Sequence, residues 1–304
     1  MTTIGFDYYP EFSFDMKLSG FNSLQNLIKE RFKENKPFFI ARVSGAESRE
    51  MGYSLENKIQ MINRDTLRFH AGICIIDDED WKEYVEMTMQ AFRDCDYLAI
   101  WDAQCYLQCP ELYQYIKREY PHLKTIPAHS LEPYHFMETP NYIFPTLFVN
   151  KKILIITSHA NSVLHQLTHI HNIFSPYSLF PDPNNILVYK CTIQNGLNSD
   201  GYSWKGHYLK MCIDISKFDF DVAFIGCGGF SNILGHYIFN TLHKSALYIG
   251  GPIQLYFGIL GNRWVTDSNI TKWIHKNGND WIRPLPQDTP SHPLAVEHGC
   301  YWLS

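Results

Sequence analysis

Short runs of β-branched and aromatic residues recur along this chain, each followed by a glycine-bearing or polar turn and then a helical pattern. They occupy residues 38–42 (FFIAR), 97–101 (YLAIW), 153–157 (ILIIT), 186–191, 221–225 (DVAFI) and 246–249 (ALYI). The runs are continuously apolar rather than alternating, which is how strands read when helices cover both faces of a parallel sheet. Helical spacing follows at 46–58, 80–92, 110–120, 160–173, 206–215 and after Gly229, where Phe230, Ile233, Leu234, Tyr237 and Ile238 form one apolar stripe. A further helix is expected from about Ile253. The pattern predicts an α/β fold: a doubly wound, mostly parallel, Rossmann-like sheet with helices on both faces. With no repeat and no Gly/Ser linker, residues 1–304 read as a single α/β domain. Residues 266–304, with prolines at 284, 286, 290 and 293, read as a loop-rich C-terminal segment packed across the sheet's edge or mouth.

Composition narrows the function classes. At 45% hydrophobic and 19% charged residues the chain has material for a sizeable core and is not disordered. Its net charge of −5 gives no field that would draw nucleic acid or anionic lipid. No apolar run approaches the ~18 residues of a membrane helix. Residues 1–10 lack a basic stretch leading into an apolar one, so no secretory leader is expected and the cytoplasm is the expected location. The cysteines at 74, 95, 105, 109, 191, 212, 227 and 300 form no C-x-x-C pair and read as buried thiols.

In an open parallel sheet, ligands bind at the carboxyl ends of the strands. The residues standing there are Arg42, Ser44, Gly45 and Glu47; Asp102; Ser158 and His159; Gly226, Gly228 and Gly229; and Gly250, Gly251 and Gln254. The G-C-G-G turn at 226–229 suits either a phosphate resting on backbone N–H groups or simply a tight strand-to-helix turn. It fails the dinucleotide fingerprint, because Ser231 stands where the third glycine belongs and the next strand ends in Gly250 rather than an acid. NAD is therefore not expected. Gly250 and Gly251 repeat the arrangement on the following strand, and Arg263 beside Trp264 offers either a diphosphate clamp or a surface ion pair. Glu47 suits a helix cap, a metal ligand or an acceptor for a sugar hydroxyl. His165 and His169 lie four apart on one expected helix, but Gln166 stands where a zinc hydrolase would need its glutamate. Neither a G-x-S-x-G elbow nor a Walker A sequence is present.

Three segments together, 40–47 (IARVSGAE), 218–238 (FDFDVAFIGCGGFSNILGHYI) and 245–264 (SALYIGGPIQLYFGILGNRW), resemble the GT-D-type glycosyltransferases. The closing stretch Glu297 to Trp302 is similar to the tail of distant members. That family's first-strand motif runs R-x-G-D-x-E. Arg42 and Glu47 match its ends, while Ser44 and Gly45 replace its glycine and aspartate. The resemblance implies a Rossmann-like enzyme of glycan biosynthesis that moves a sugar from a nucleoside-diphosphate sugar, a UDP-sugar, to a hydroxyl of a glycan or glycoconjugate. It implies Glu47, Asp102 or His159 as the catalytic base, with Glu47 first because the motif supports it. Arg42, Ser44, Gly45, Ser158, Gly226, Gly228, Gly229, Gly250, Gly251, Gln254 and Arg263 would hold the donor. It also implies Mn²⁺ or Mg²⁺ at Glu47, where Gly45 leaves a single carboxylate and one carboxylate rarely holds such an ion. Two other readings follow from the same residues. One is a nucleotide or sugar-nucleotide binder without turnover, and the other a metal hydrolase built on His159, His165 and His169.

Overall fold

The structure, a computed structural model, describes residues 11–102, 109–192 and 202–302. Residues 1–10 and Cys105 lie outside them. The strands are β1 (Phe39–Arg42), β2 (Tyr97–Ile100), β3 (Thr125–Pro127), β4 (Ile153–Thr157), β5 (Ile186–Lys190), β6 (Val222–Gly226) and β7 (Ser245–Tyr248). They form one seven-stranded sheet in the order β3-β2-β1-β7-β6-β4-β5, and every pair is parallel. The expected α/β, Rossmann-like architecture is what forms. The longer helices are α1 (Phe14–Lys33), α2 (Ala46–Leu55), α3 (Asp78–Asp94), α4 (Pro110–Glu119), α5 (Ala160–Gln166), α6 (Trp204–Ile215), α7 (Ser231–Asn240) and α8 (Ser268–Asn277).

Both faces of the sheet are covered, which explains the continuous apolar runs. Successive strand residues point to opposite faces. Phe39, Ala41, Leu98, Ile100, Leu154, Ile156, Ala223 and Ile225 join one core, built with α2, α3, α4, α6 and α7. Ile40, Ala99, Ile153, Ile155, Val222, Phe224 and Leu247 join the other, built with α1, α5 and α8. The chain builds outward from β1 to β3 in one direction and from β4 to β5 in the other, then returns through β6 and β7. The halves meet where β7 pairs with β1, with Phe39 beside Ala246 and Ile40 beside Leu247. Opposed crossovers leave a crevice at such a junction.

Several elements differ from the sequence expectation. α1 was not expected, although Ser13 caps it through Met16 N and Phe21, Leu24 and Ile28 are buried at helical spacing. β3 is three residues long and ends in proline, too short to register as a run. The expected helix 160–173 is broken, because a 3₁₀ turn (Leu167–His169) separates α5 from Ile170–Ile173. The segment after Gly250 is a 3₁₀ helix (Gly251–Phe257) rather than α. The tail is less irregular than expected, since α8 lies within it and buries Ile270 and Trp273. Among the described cysteines, Cys109, Cys191, Cys212, Cys227 and Cys300 are buried. No described helix is long and apolar enough to cross a membrane.

Candidate active site

A cavity of about 760 Å³ opens at the carboxyl ends of the strands. Across the sheet its wall runs from His129 and Glu132 after β3, through Trp101 and Asp102 after β2, to Arg42, Ser44, Gly45 and Glu47 at β1. It continues with Tyr248, Gly250, Gly251 and Gln254 at β7, Gly226 and Gly228 at β6, and Thr157, Ser158 and His159 at β4. Arg263, Asp267, Glu297 and Tyr301 close it from the C-terminal segment. Every residue that the sequence offers for donor binding or as the base lines this space except Gly229. That glycine turns inward, where its carbonyl accepts from Tyr84 Oη at 2.8 Å and a Cβ would meet Ile73 and Tyr84 at 3.1 Å. The 226–229 turn is also less of an N–H cradle than its glycines promise. Cys227 N already donates to Ser231 Oγ at 3.0 Å, and a 3₁₀ turn (Gly228–Phe230) precedes α7.

Arg42 is the centre of the arrangement. Its backbone is clamped by the Asn232 amide, which accepts from Arg42 N at 3.1 Å and donates to Arg42 O at 3.0 Å. Its guanidinium lies 4.5 Å from the Tyr248 ring centre and 5.6 Å from that of Trp101. Gly250 makes this possible: at φ 77° and ψ −150° it has a backbone that disfavours side chains, and a Cβ there would lie 2.2 Å from Arg42 Nη2. Burial opposes the charge of Arg42, yet Tyr248, Tyr301 and Glu132 hold its pKa above the ordinary value. Arg263 pairs with Glu297 and lies 5.1 Å from the Tyr301 ring centre, and its pKa is also raised although burial opposes it.

The acids and imidazoles divide by environment. Burial pushes the pKa of Glu47 up, outweighing Ser44 and Arg42 nearby, so this carboxyl holds its proton to higher pH than an ordinary glutamate. Glu132 goes the other way. Burial alone would raise it, but His135, 2.9 Å away through Nε2, together with His129 and Arg42, keeps it below the ordinary range. Burial lowers His159 to about 4 despite Asp288, so its imidazole is neutral at pH 7; its Nδ1 is 3.2 Å from Ser158 Oγ and its ring stacks on Trp302. Asp102 Oδ2 accepts from Phe12 N at 3.4 Å.

Buried polar side-chain atoms without a hydrogen-bond partner concentrate here. Among the described residues they include Arg42 Nε, Ser44 Oγ, His70 Nδ1, His129 Nδ1, His159 Nε2 and Gln254 Oε1, all from residues that line the cavity. Leaving a buried polar group unpaired costs about 1–3 kcal/mol, so these atoms are the candidates for hydrogen bonds to a bound molecule. Sequence reasoning missed His129 and Glu132 because it missed β3, and missed Tyr248 because it was read as strand core. It also missed His70, whose π-helical turn (Leu67–Ala71) carries no strand signal.

Two expectations about metals meet the geometry. Among the described residues no three His, Cys, Asp or Glu side chains gather to hold a metal ion. His169 faces Asp280 at 3.1 Å and stacks on His165 with ring centres 6.3 Å apart, but His159 lines the cavity without them, so the three histidines of the hydrolase reading do not gather. Glu47 has Arg42 beside it and feels the Glu297 carboxylate, and among the described residues no group of three metal-ligating side chains forms around it.

A doubly wound parallel sheet with a polar crevice at its central junction defines a Rossmann-like α/β protein. Within that class, the chain matches the GT-D fold-like domain over residues 20–255 and belongs to that family. The domain points to a glycosyltransferase. No curated protein and no solved structure gives a significant match to the chain.

Proposed function

We propose that this protein transfers a sugar from a nucleoside-diphosphate sugar, with UDP as the nucleotide, to a hydroxyl of a glycan or glycoconjugate. The observation that carries the reading is the cluster of unpartnered buried polar atoms around Arg42, at the sheet's central junction in a GT-D family chain. The donor's diphosphate lies against Arg42, with Arg263 as a second cation. In the transfer, the acceptor oxygen bonds to the anomeric carbon while the bond from that carbon to the diphosphate oxygen breaks. The electron pair leaves with the diphosphate, whose growing charge a fixed guanidinium stabilises more than it does the bound donor. The proton of the acceptor hydroxyl passes to Glu47, whose raised pKa brings it nearer to the pH at which a general base works best. Asp102 and His159 are the alternative bases. No step is assigned to a divalent ion.

The test is thermal unfolding with UDP, GDP, dTDP, CMP and their common sugar conjugates, each with EDTA and with Mn²⁺. A ligand at 100 times its dissociation constant adds about 2.7 kcal/mol. For 304 residues the unfolding entropy is about 0.64 kcal/mol/K, so the expected rise is about 4 °C. A shift with UDP and a matching release of UDP from one of its sugars support the proposal. No shift with any nucleotide removes it. The replacement of the family's aspartate by Gly45 favours one second reading, a binder without turnover, for which the shift would appear and no donor would be consumed.

A further inference from the structure

The two ends of the cavity differ in chemistry. On the β2–β3 side stand the carboxyls of Asp102 and Glu132 with the Trp101 ring. On the β4–β7 side stand the neutral groups Ser158, His159 and Gln254. Gln254 is the most constrained of them. It is 1% exposed, and its Nε2 donates to Ile259 O at 3.1 Å and to Tyr301 O at 3.4 Å. Reversing the amide would set an oxygen against two carbonyl oxygens, so the surroundings fix which end is which. The remaining end, Oε1, has no partner. It accepts and cannot donate, so an ionised diphosphate, which has no proton to give, does not satisfy it. A nucleoside does, through a ring N–H or a ribose O–H.

We propose that the β4–β7 end of the cavity receives the nucleoside, and that Gln254 Oε1 selects it by accepting a hydrogen bond from the N3–H of its base or the 2′-hydroxyl of its ribose. The proposal rests on the sugar-nucleotide reading above and deepens it. Gln254 follows Gly250, the residue against which Arg42 lies, by four positions on the same turn. A diphosphate on Arg42 thus brings its nucleoside toward Gln254 and leaves the acidic, aromatic end for the acceptor's hydroxyls.

Isothermal titration of UDP, N3-methyl-UDP, 2′-deoxy-UDP and pyrophosphate into the wild-type protein and Gln254→Met tests this. The two analogues distinguish the base N–H from the ribose hydroxyl. One of them is expected to bind the wild type about tenfold more weakly than UDP, the loss that goes with a missing buried hydrogen bond. In Gln254→Met the same analogue should bind as UDP does, with pyrophosphate affinity unchanged. The proposal is overturned if both analogues match UDP in the wild type, if the analogue's loss persists in the variant, or if the variant weakens pyrophosphate as much as UDP. Should Gln254→Met not fold, the wild-type series alone still decides against the proposal when both analogues match UDP. If UDP and pyrophosphate both fail to bind the wild type, the sugar-nucleotide reading itself fails and this inference falls with it.

Discussion

Gly250→Ala is the sharpest test of the Arg42 geometry. The added Cβ would lie 2.2 Å from Nη2, 2.7 Å from Cζ and 2.9 Å from Nη1 of the guanidinium, all inside contact distance. The backbone at φ 77° and ψ −150° falls in a region essentially confined to glycine, where a side chain costs about 1–3 kcal/mol. Displacing the guanidinium from the Tyr248 ring, 4.5 Å away, gives up a desolvated cation–π contact of about 1–2 kcal/mol. Together these come to roughly 2–5 kcal/mol, and at about 0.64 kcal/mol/K the melting temperature should fall by about 3–8 °C. Diphosphate binding should weaken at least tenfold, since a charge-assisted hydrogen bond is worth about 1.5–3 kcal/mol. Calorimetric melting and UDP titration measure the two effects. Gly206→Ala is the control: Gly206 lies exposed in α6 with nothing within 4 Å of its Cβ position. That change should be neutral or stabilising by up to about 1 kcal/mol. If Gly250→Ala melts and binds like the wild type, the guanidinium is not held where the argument needs it.

Other outcomes follow from the same site. Glu47→Gln should lower transfer by roughly 10²–10⁴-fold while changing UDP affinity little, checked by single-turnover kinetics beside titration. Because the Glu47 pKa is raised, wild-type transfer should fall off on the acid side at a higher pH than an ordinary glutamate would give. Asp288 Oδ2 accepts from Ser162 N and Oγ, both at 2.7 Å, and Oδ1 accepts from Asn161 Nδ2 and Lys190 Nζ. Asp288→Ala should therefore cost about 2–4 kcal/mol in urea unfolding. His159 binds its proton at about 4 when folded against an ordinary 6.5. The unfolded chain takes up that proton first, so this contribution is intact above pH 6.5 and about 3 kcal/mol is lost by pH 4. His159→Asn should flatten that part of the stability profile, and equal slopes in both proteins would refute it. UDP binding should be the same in EDTA and in Mn²⁺, read by titration.

The sheet was largely legible because a strand covered on both faces must be apolar at every position, and Ile153–Thr157 or Val222–Gly226 carries that signal without help from neighbours. The turn residues were legible for a related reason: once the strands are placed, whatever follows them stands at the mouth. What escaped depends on contacts distant in sequence. Thr125–Pro127 pairs with β2 through Leu98, Ala99 and Ile100, a partnership invisible in three residues, and with it went His129 and Glu132. The role of Gly250 is fixed by a side chain more than two hundred positions earlier, so its spacing alone could not separate a phosphate cradle from a seat for Arg42.

The family match ends at residue 255, yet Arg263, Asp267, Glu297 and Tyr301 belong to the cavity wall. These residues are fastened rather than draped. Arg263 N donates to Cys300 O at 2.9 Å, and Trp302 Nε1 donates to Asp288 O at 3.0 Å while its ring stacks on His159. Asp288 in turn ties the segment to the start of α5 and to Lys190 at the end of β5. Glu297 and His298 both have left-handed backbones, at φ 45° and 56°, each a cost of about 1–3 kcal/mol for a residue with a side chain. Strain of that kind persists where surrounding contacts over-determine it, and here it sets the Glu297 carboxylate on Arg263. The strand turns thus fix where charge is held, and the C-terminal segment fixes the shape of the space around it. Selectivity among ligands that share a diphosphate is therefore expected to follow Gln254 and the C-terminal wall that holds its amide through Tyr301 O, because a shared group cannot discriminate between them.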